Sequence, residues 1–434
     1  MSNLVDPLIK DKGEVYDYTF YVSKEEEWDY ARTKIVSLYQ DNNFINFLIV
    51  LTDSFSVDGS TQPTILDDAS DVIVTIRGAG YSITLDNSSN GNLLNVTGEQ
   101  QFTIHDVHLK GKVNGDQNTG GSLVYIDGGI FNMTGNSYIS GNITRVSGVP
   151  IANNGGGVYV ENGGIFNMKG GTISDNIATN GGGVSVENGG TFNMNNGTIK
   201  DNTATTGGGV YVNGGIFKMS GSAEIYKNTG SPGGGVLVTN GSQFTMSGGT
   251  IGNEDSVLGN SAAAYGGGVG VTGGSTFTMT GGFVKRNKTT GGVAGSGGGG
   301  VYVSGGGSTF TMIGGTISGN TAQFNNGGGV NMNGGTFTMT GGNIYANTAI
   351  DGGGVFLYNS NDSIFRISSG TIAGDFDSDS NIANNNGNAL YVLAGSAQHG
   401  TFGNDGITWN GVDIIVAPDN FINTTIKVQN GVLQ

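Results

Sequence analysis

At 434 residues the chain is longer than most single domains, and it contains 83 glycines but only 5 prolines. Collagen is excluded because glycine follows no strict three-residue period, and disorder is disfavoured because 36% of the residues are hydrophobic and recur in register. A formal net charge of −16 disfavours nucleic acid as a partner, since phosphate is repelled. The absence of cysteine excludes disulfides and thiol chemistry.

Residues 1–60 differ from the rest and are predicted to form an N-terminal cap with one helix and the first strand, near 47–51. Ser23 followed by Glu26 is typical of a capping box, and the acidic run 25–27 favours a helix N-terminus. Apolar residues then recur at helical spacing: Trp28, Ala31, Ile35 and Leu38. The pattern predicts an amphipathic helix over 23–40, which would cover the apolar end of the first coil.

Beyond the cap, strands are predicted within 72–85 and 94–109, and a regular array of repeats occupies residues 120–392. Three anchors recur in fixed order, at intervals of about 26 residues where the repeat is most regular. The first is a GGGV strand containing Val158, Val184, Val210, Val236, Val269, Val301, Val330 and Val355. The second is an F-x-M strand containing Phe131, Phe166, Phe192, Phe217, Phe244, Phe277, Phe310, Phe337 and Phe365. The third contains Ile139, Ile173, Ile199, Ile225, Ile251, Val284, Ile317, Ile344 and Ile372.

Repeats of this length predict an all-β fold, a right-handed parallel β-helix with three strands per coil. The residue between Phe and Met varies freely, so it is expected to point outward while Phe and Met fill the core. The β-helix is predicted to run over 61–434, continuous with the cap as one domain and ending in irregular coils over 393–434. No helix is expected to cap the C-terminal strands, predicted near 413–416 and 425–428.

Nearly all variation in repeat length lies at one corner. The step from the third anchor to the next Val ranges from 11 residues (173 to 184) to 19 residues (139 to 158), whereas the other steps are nearly constant. Loops over 143–154, 253–265, 287–297 and 375–388 are therefore expected to line one edge. Variable loops on a rigid scaffold are common sites of binding.

Segments with the pattern I-x-x-N-x-A before GGGV, such as 173–184, 199–210, 317–330 and 344–355, resemble the repeats of chlamydial polymorphic outer-membrane proteins. The resemblance extends to bacterial adhesin-like proteins of the pectin-lyase-like superfamily and covers about residues 120–392. Here isoleucine stands where the chlamydial repeats carry phenylalanine. The resemblance implies a secreted or surface-exposed scaffold involved in adhesion.

Signs of catalysis are weak. Enzymes on this fold cluster carboxylates beside a basic residue, but Lys285 and Arg286 have no stacked carboxylate pair in register, and His105 and His108 beside Asp106 are expected on opposite faces. The chain is therefore predicted not to be an enzyme. A polysaccharide lyase or hydrolase, or a sugar-binding module, is the alternative.

Two polar columns have a structural and a functional interpretation. An asparagine column could bind a ligand, but a hydrogen-bonded ladder at a turn is the favoured interpretation; its members are Asn176, Asn202, Asn228, Asn287, Asn320 and Asn347. Outward threonines in T-x-T patterns, such as Thr276, Thr278, Thr336 and Thr338, could order water as in ice binding. Lys218, Ile313 and Arg366 interrupt that array, so β-propensity explains it better.

The run Asp375, Asp377, Asp379 and Asn381 alternates oxygen ligands like the start of a calcium loop. Its sixth position is Ser380 instead of glycine, and no Glu closes it. Calcium is the one cofactor that the sequence suggests, and a solvated acidic loop is the other interpretation.

An outward aromatic column is the candidate contact surface, because exposed aromatic side chains can stack on sugars or be buried by a protein partner. Its members are Tyr125, Tyr159, Tyr211, Tyr302, Phe356 and Tyr391.

The sequence shows no signal peptide and no apolar run long enough to span a membrane. We expect an extracellular or cell-surface protein whose partner is a host or surface protein, a glycan, or further copies joined head to tail in a filament.

Overall fold

The structure is a computed structural model that describes residues 5–11, 14–42, 45–60, 69–112, 117–144, 154–292, 297–358, 363–374, 379–392, 421–422, 426–429 and 432–433. The chain divides into two compact units, Met1–Thr203 and Ala204–Gln434. Each unit consists of short parallel strands stacked as a β-solenoid, so the predicted all-β parallel β-helix is confirmed. That residues 61–434 form one domain with the cap stays a prediction.

The N-terminal cap is more extensive than predicted. Strands Val5–Asp11 and Glu14–Val22 form an antiparallel hairpin, and Glu14–Val22 pairs in parallel with Asn46–Leu51. The sequence analysis missed the hairpin, although Tyr16, Phe20 and Val22 alternate at the period of a strand and are buried.

One helix follows the hairpin, over Glu25–Asn42, close to the predicted 23–40. Its predicted apolar face is buried, as expected of a covering helix. The predicted capping box is wrong in one residue: Ser23 pairs with Glu27 and not with Glu26. The Glu27 carboxylate accepts from the Ser23 amide at 2.8 Å and from the Ser23 hydroxyl at 2.9 Å. The first turn of the helix is closed by bonds from the Glu27 and Trp28 amides to the Lys24 carbonyl, one residue after Ser23, which moves the closing glutamate by one position.

The phenylalanine sheet contains the F-x-M strands. In the N-terminal unit it comprises Val5–Asp11, Glu14–Val22, Asn46–Leu51, Ile73–Arg77, Gln101–His105, Ile130–Thr134, Ile165–Met168 and Thr191–Met194. In the C-terminal unit it comprises Ile216–Met219, Gln243–Met246, Thr276–Met279, Thr309–Met312, Gly335–Met339 and Ser363–Ile367.

The valine sheet contains the GGGV strands. In the N-terminal unit it comprises Leu94–Thr97, Val124–Asp127, Val158–Glu161 and Val184–Glu187. In the C-terminal unit it comprises Val210–Asn213, Val236–Thr239, Val269–Val271, Val301–Ser304, Val330–Asn333, Val355–Leu357, Leu390–Val392 and Phe421–Ile422.

The isoleucine sheet contains the third anchor. In the N-terminal unit it comprises Phe55–Val57, Ser82–Leu85, His108–Lys110, Tyr138–Ser140, Thr172–Ser174 and Thr198–Lys200. In the C-terminal unit it comprises Glu224–Tyr226, Thr250–Gly252, Phe283–Lys285, Thr316–Ser318, Asn343–Tyr345, Gly370–Ile372, Ile426–Gln429 and Val432–Leu433.

A fourth, short sheet was not predicted and occupies the corner assigned to variable loops. In the N-terminal unit it comprises Ile177–Asn180, and the boundary between the units falls within Thr203–Thr206. In the C-terminal unit it comprises Thr229–Gly230, Ser261–Ala262, Lys288–Thr289, Thr321–Ala322, Thr348–Asp351 and Ile382–Asn386. Coils that contain it have four strands and not the predicted three. Strands such as Ser261–Ala262 are only two residues long, which is too short for a period-2 pattern to be recognised in the sequence.

The core consists of like residues stacked from coil to coil. Phe244, Phe277 and Phe310 are fully buried, and their rings lie 4.7 and 4.8 Å apart and nearly parallel. The variable residue between Phe and Met lies outside, as predicted; Lys218 and Thr245, for example, are exposed. The Phe131-to-Phe365 series therefore lines the interior of both units.

The corner glycines have a steric reason. Gly181 has φ of +61°, and a Cβ there would overlap the carbonyl oxygen of Val184. Only glycine accepts that backbone without strain.

Antiparallel strands follow the last parallel coil of the C-terminal unit. Gly370–Ile372 pairs with Ile426–Gln429, and Leu390–Val392 pairs with Phe421–Ile422. The predicted strand near 425–428 is thus present, while 413–416 lies outside the described residues.

Candidate functional site

The valine sheet of the N-terminal unit presents two outward columns of polar and aromatic side chains. In Val124–Asp127 and Val158–Glu161 the first and third residues are buried, so the second and fourth point outward. Tyr125 is the direct partner of Tyr159, and Asp127 of Glu161. On the next coil Tyr159 pairs with Ser185, and Val160 with Val186. Glu187 therefore continues the carboxylate column.

Glu161 holds both tyrosines. The Tyr125 hydroxyl donates to Glu161 Oε1 at 2.5 Å, and the Tyr159 hydroxyl donates to Oε2 at 2.6 Å. The two rings stack with centroids 5.6 Å apart and planes inclined by 23°. Asn188 also donates to Glu161 Oε2, at 3.3 Å. The carboxylate thereby fixes two half-buried aromatic rings side by side.

Burial raises the pKa of both tyrosines well above its usual range, and the hydrogen bond to Glu161 raises it further. Both phenols are therefore protonated at physiological pH, and each serves as a donor to the carboxylate.

The flanking carboxylates are also partnered. Asp127 Oδ1 accepts from Asn162 Nδ2 at 2.9 Å, and Glu187, which is only 7% exposed, accepts from the Ser185 hydroxyl at 2.9 Å. Parallel strands stack about 4.8 Å apart, so this face carries a row of closely spaced negative charges. We name it the tyrosine–carboxylate face: Tyr125, Asp127, Tyr159, Glu161, Ser185 and Glu187.

The sequence analysis missed the carboxylate row because it considered stacked carboxylates only beside Lys285 and Arg286. A signal was present: Asp127, Glu161 and Glu187 each stand three residues after the first valine of a valine-sheet strand.

In the C-terminal unit the aromatic column is in register, but part of it is covered. Tyr302 pairs with Asn331, Asn331 with Phe356, and Phe356 with Tyr391. Tyr302 is 4% exposed and Phe356 is fully buried, so the expectation that both are exposed is wrong.

The cover over Tyr302 is another aromatic ring. Tyr265 stacks on Tyr302 at 4.3 Å, and its ring also lies beside Gly270, the residue that precedes Tyr302 in the column. Tyr211, paired with Leu237, stays partly exposed.

The asparagine column is a ladder of buried side chains, as its structural interpretation predicts. In the N-terminal unit Asn176 donates from Nδ2 to Asn202 Oδ1 at 3.0 Å, and Asn118 and Asn142 extend the series. In the C-terminal unit the ladder runs through Asn228, Asn260, Asn287, Asn320, Asn347 and Asn381. All are fully buried, so they are not placed to bind a ligand from solvent.

The predicted calcium residues separate into two groups. Asp375 and Asp377 lie outside the described residues. Asp379 is exposed, whereas Asn381 is fully buried and its Oδ1 accepts from Asn347 at 2.9 Å, which commits it to the ladder. Within the ranges that the structure covers, no three acidic or histidine side chains are grouped to hold a metal ion.

His105 and His108 lie on neighbouring sheets. His105 contacts Thr134 Oγ1 at 3.0 Å and Asp106 at 3.3 Å, whereas His108 contacts Ser140 Oγ at 2.7 Å. Burial, and secondarily the charge of Lys110, lowers the pKa of His108 to about 4. His105 and His108 thus take part in different contacts.

The outward threonines form aligned columns. Thr276, Thr309 and Thr336 are direct partners on successive coils, as are Thr278, Thr311 and Thr338. Gln243 precedes the first column, Thr245 extends the second column by one coil, and Ile364 and Arg366 follow the two columns. Both columns are therefore threonine on three coils.

The variable edge is only partly described. Within 253–265, residues Ser256–Leu258 form a 3-10 turn, and the Asp255 carboxylate at its start accepts from the Val257 amide at 2.9 Å. The Val257 side chain is 77% exposed. The other three predicted loops contain the undescribed residues 145–153, 293–296 and 375–378.

Comparison of the chain with protein families, curated proteins and solved structures finds no match. The fold by itself defines the class of protein, a parallel β-solenoid.

Among the described residues, no helix combines the length and the apolar character needed to cross a bilayer.

Proposed function

We propose that this chain is a non-enzymatic scaffold, extracellular or at the cell surface, that acts in adhesion through the tyrosine–carboxylate face. The observation that carries the proposal is the pair Tyr125 and Tyr159, which Glu161 holds side by side and partly exposed. Fixed aromatic rings lose little conformational entropy on binding and supply a large contact area.

The packing and hydrogen bonding of the interior support a scaffold role. Phe, Met, Val and Ile fill the core, and the buried asparagines hydrogen-bond to each other and to backbone carbonyls. Exposed side chains therefore contribute little to the fold, and an exposed contact surface can vary with little loss of stability.

The antiparallel strands favour adhesion over a filament. Ile426–Gln429 and Phe421–Ile422 already pair with the last parallel strands of two sheets. A further copy that approached those two sheets would meet antiparallel strands instead of the parallel register that a head-to-tail filament needs. Negative-stain microscopy over a concentration series should show single particles; filaments would reverse this preference.

The adhesion proposal is tested by binding of the purified chain to arrays of glycans and of purified extracellular-matrix proteins. Tyr159→Ala should abolish any specific binding. Tyr138→Ala, which removes an exposed tyrosine of the isoleucine sheet, should leave it unchanged. Binding that both variants retain would place the contact elsewhere.

A polysaccharide-degrading or polysaccharide-binding role is the second candidate, and the row Asp127, Glu161 and Glu187 favours it. Glycoside hydrolysis needs paired carboxylates within several ångströms, a condition that neighbouring coils meet. Turnover of neutral or acidic polysaccharides by the parent chain, lost in Glu161→Gln, would establish an enzyme. If no polysaccharide of the panel is turned over, only the binding role remains.

A further inference from the structure

We propose that Tyr125, Tyr159 and Glu161 form a site of oxidative modification, at which a one-electron oxidant joins the two tyrosines into a dityrosine cross-link between adjacent coils. Glu161 is the positioning base of the site. The proposal is independent of what the chain binds.

The geometry places the reacting rings together. Tyr125 and Tyr159 are direct partners on neighbouring strands, and their ring centroids are 5.6 Å apart. Because both hydroxyls donate to oxygens of one carboxylate, the hydroxyl ends of the two rings lie on the same side of the pair. Both rings are partly exposed, so an oxidant in solution can reach them.

Glu161 makes these phenols easier to oxidise than an isolated tyrosine. A neutral phenol that loses an electron becomes a strong acid, and the radical persists only if the phenolic proton leaves. A carboxylate 2.5 and 2.6 Å from the two hydroxyl oxygens accepts that proton without any rearrangement. Because burial raises the pKa of both tyrosines, each is oxidised as the neutral phenol, with loss of its proton to Glu161, and not as a phenolate formed beforehand.

The reaction balances with an external oxidant. Each tyrosine transfers one electron to the oxidant and its phenolic proton to Glu161, which releases it to water. The two phenoxyl radicals then form one carbon–carbon bond between their ortho carbons. The ortho hydrogens move to the phenolic oxygens as the rings regain aromaticity, so the protein loses two hydrogens and two tyrosines become one dityrosine.

The test uses the full chain with photo-excited tris(bipyridyl)ruthenium and persulfate as the oxidant. We expect dityrosine fluorescence, an intact mass lower by two hydrogens, and a cross-linked peptide that joins the segments of Tyr125 and Tyr159. Tyr159→Phe should abolish that peptide. Oxidation that yields other products without this cross-link overturns the proposal.

Glu161→Gln keeps the side-chain shape but removes the base, and should slow cross-linking by about tenfold or more, in line with the contribution of a positioned general base. Glu161→Asp keeps a carboxylate and should restore part of the rate. Equal rates in the parent and in Glu161→Gln would show that ring proximity alone decides the reaction and would overturn the role of Glu161.

The chain also offers an internal comparison. The rings of Tyr265 and Tyr302 are closer, at 4.3 Å, but Tyr302 is buried and its hydroxyl accepts from Asn333 Nδ2 at 3.2 Å. We expect this pair to cross-link more slowly than Tyr125 and Tyr159. The opposite order would contradict the proposed selectivity.

Discussion

Asn287 donates from Nδ2 to Oδ1 of Asn320 at 3.0 Å, and neither side chain reaches solvent. The Asn320 oxygen also accepts from the Asn287 backbone amide at 2.9 Å. The Oδ1 atom of Asn287 accepts from the backbone amide and Nδ2 of Asn260 on the preceding coil. Its own backbone amide and Nδ2 donate in turn to Asn320 on the next coil. A buried polar column is stable only because this sequence of donors and acceptors is complete.

Asn287→Ala should destabilise the C-terminal unit by about 3 kcal/mol, because several buried groups each lose a hydrogen-bond partner. The groups affected are the amide and Nδ2 of Asn260, the carbonyl of Ile251 and Oδ1 of Asn320. Urea unfolding followed by circular dichroism measures the change. Asn343→Ala, at an exposed position of the isoleucine sheet, is the matched control and should shift the midpoint little. Equal effects would contradict the ladder's role.

Phe277→Ala should cost about 3–5 kcal/mol, since Phe277 is fully buried between Phe244 and Phe310 and a cavity would remain. Thermal unfolding is the measurement. Phe283→Ala removes the same side chain at a position 45% exposed, where it contacts only the Lys285 ammonium at 4.8 Å among the ring contacts described. That variant should lose less than about 1 kcal/mol.

Thr289→Val should stabilise the protein by about 1 kcal/mol. Thr289 is fully buried between Ala262 and Ala322, and among the described residues its hydroxyl has no hydrogen-bond partner. Valine keeps the volume and removes the unsatisfied group. A lowered melting temperature would mean that the hydroxyl has a partner that the described residues do not include.

Acidification should weaken the N-terminal unit through His108. Burial lowers the pKa of its folded form to about 4, below the unfolded value of about 6.5, so between these values the unfolded chain binds more protons. His108 therefore stabilises the fold above pH of about 6.5, and this contribution is lost as the pH falls towards 4. Solvent screening limits the effect to about 1 kcal/mol.

The measurement is the stability of the parent and of His108→Gln at several pH values. The parent should lose more stability than the variant over this interval, because carboxylates titrate in both. Parallel pH profiles would contradict the assignment.

Glu27→Ala should destabilise the cap by about 1 kcal/mol, because the carboxylate accepts both hydrogen bonds from Ser23 at the start of the helix. Glu26→Ala is the control: its carboxylate lies 3.7 Å from Lys24 in an exposed pair and should contribute little. Thermal melts of the two variants distinguish them, and a larger loss from Glu26→Ala would restore the capping box predicted from the sequence.

Much of the candidate site was accessible from the sequence, but its chemistry was not. The alternation around Val124 and Val158 predicts that Tyr125 and Tyr159 point outward in one column, because strand side chains alternate. Both hydroxyls donate to Glu161 because of which coils are neighbours and which side-chain rotamers are adopted. A local sequence pattern predicts neither. The burial of Tyr302 depends on Tyr265, a residue outside the strand pattern.

For the fold, the sequence alone determined the parallel coils, the inward Phe, Met, Val and Ile columns and the covering helix. Each of these rests on periodic burial, which every repeat encodes again. Only the tertiary structure decided the fourth sheet, the antiparallel strands after the last coil, the extent of the asparagine ladder and the Glu161 contacts. These depend on pairings between residues distant in sequence, and strands as short as Ser261–Ala262 gain their stability from the neighbouring coil and not from their own residues.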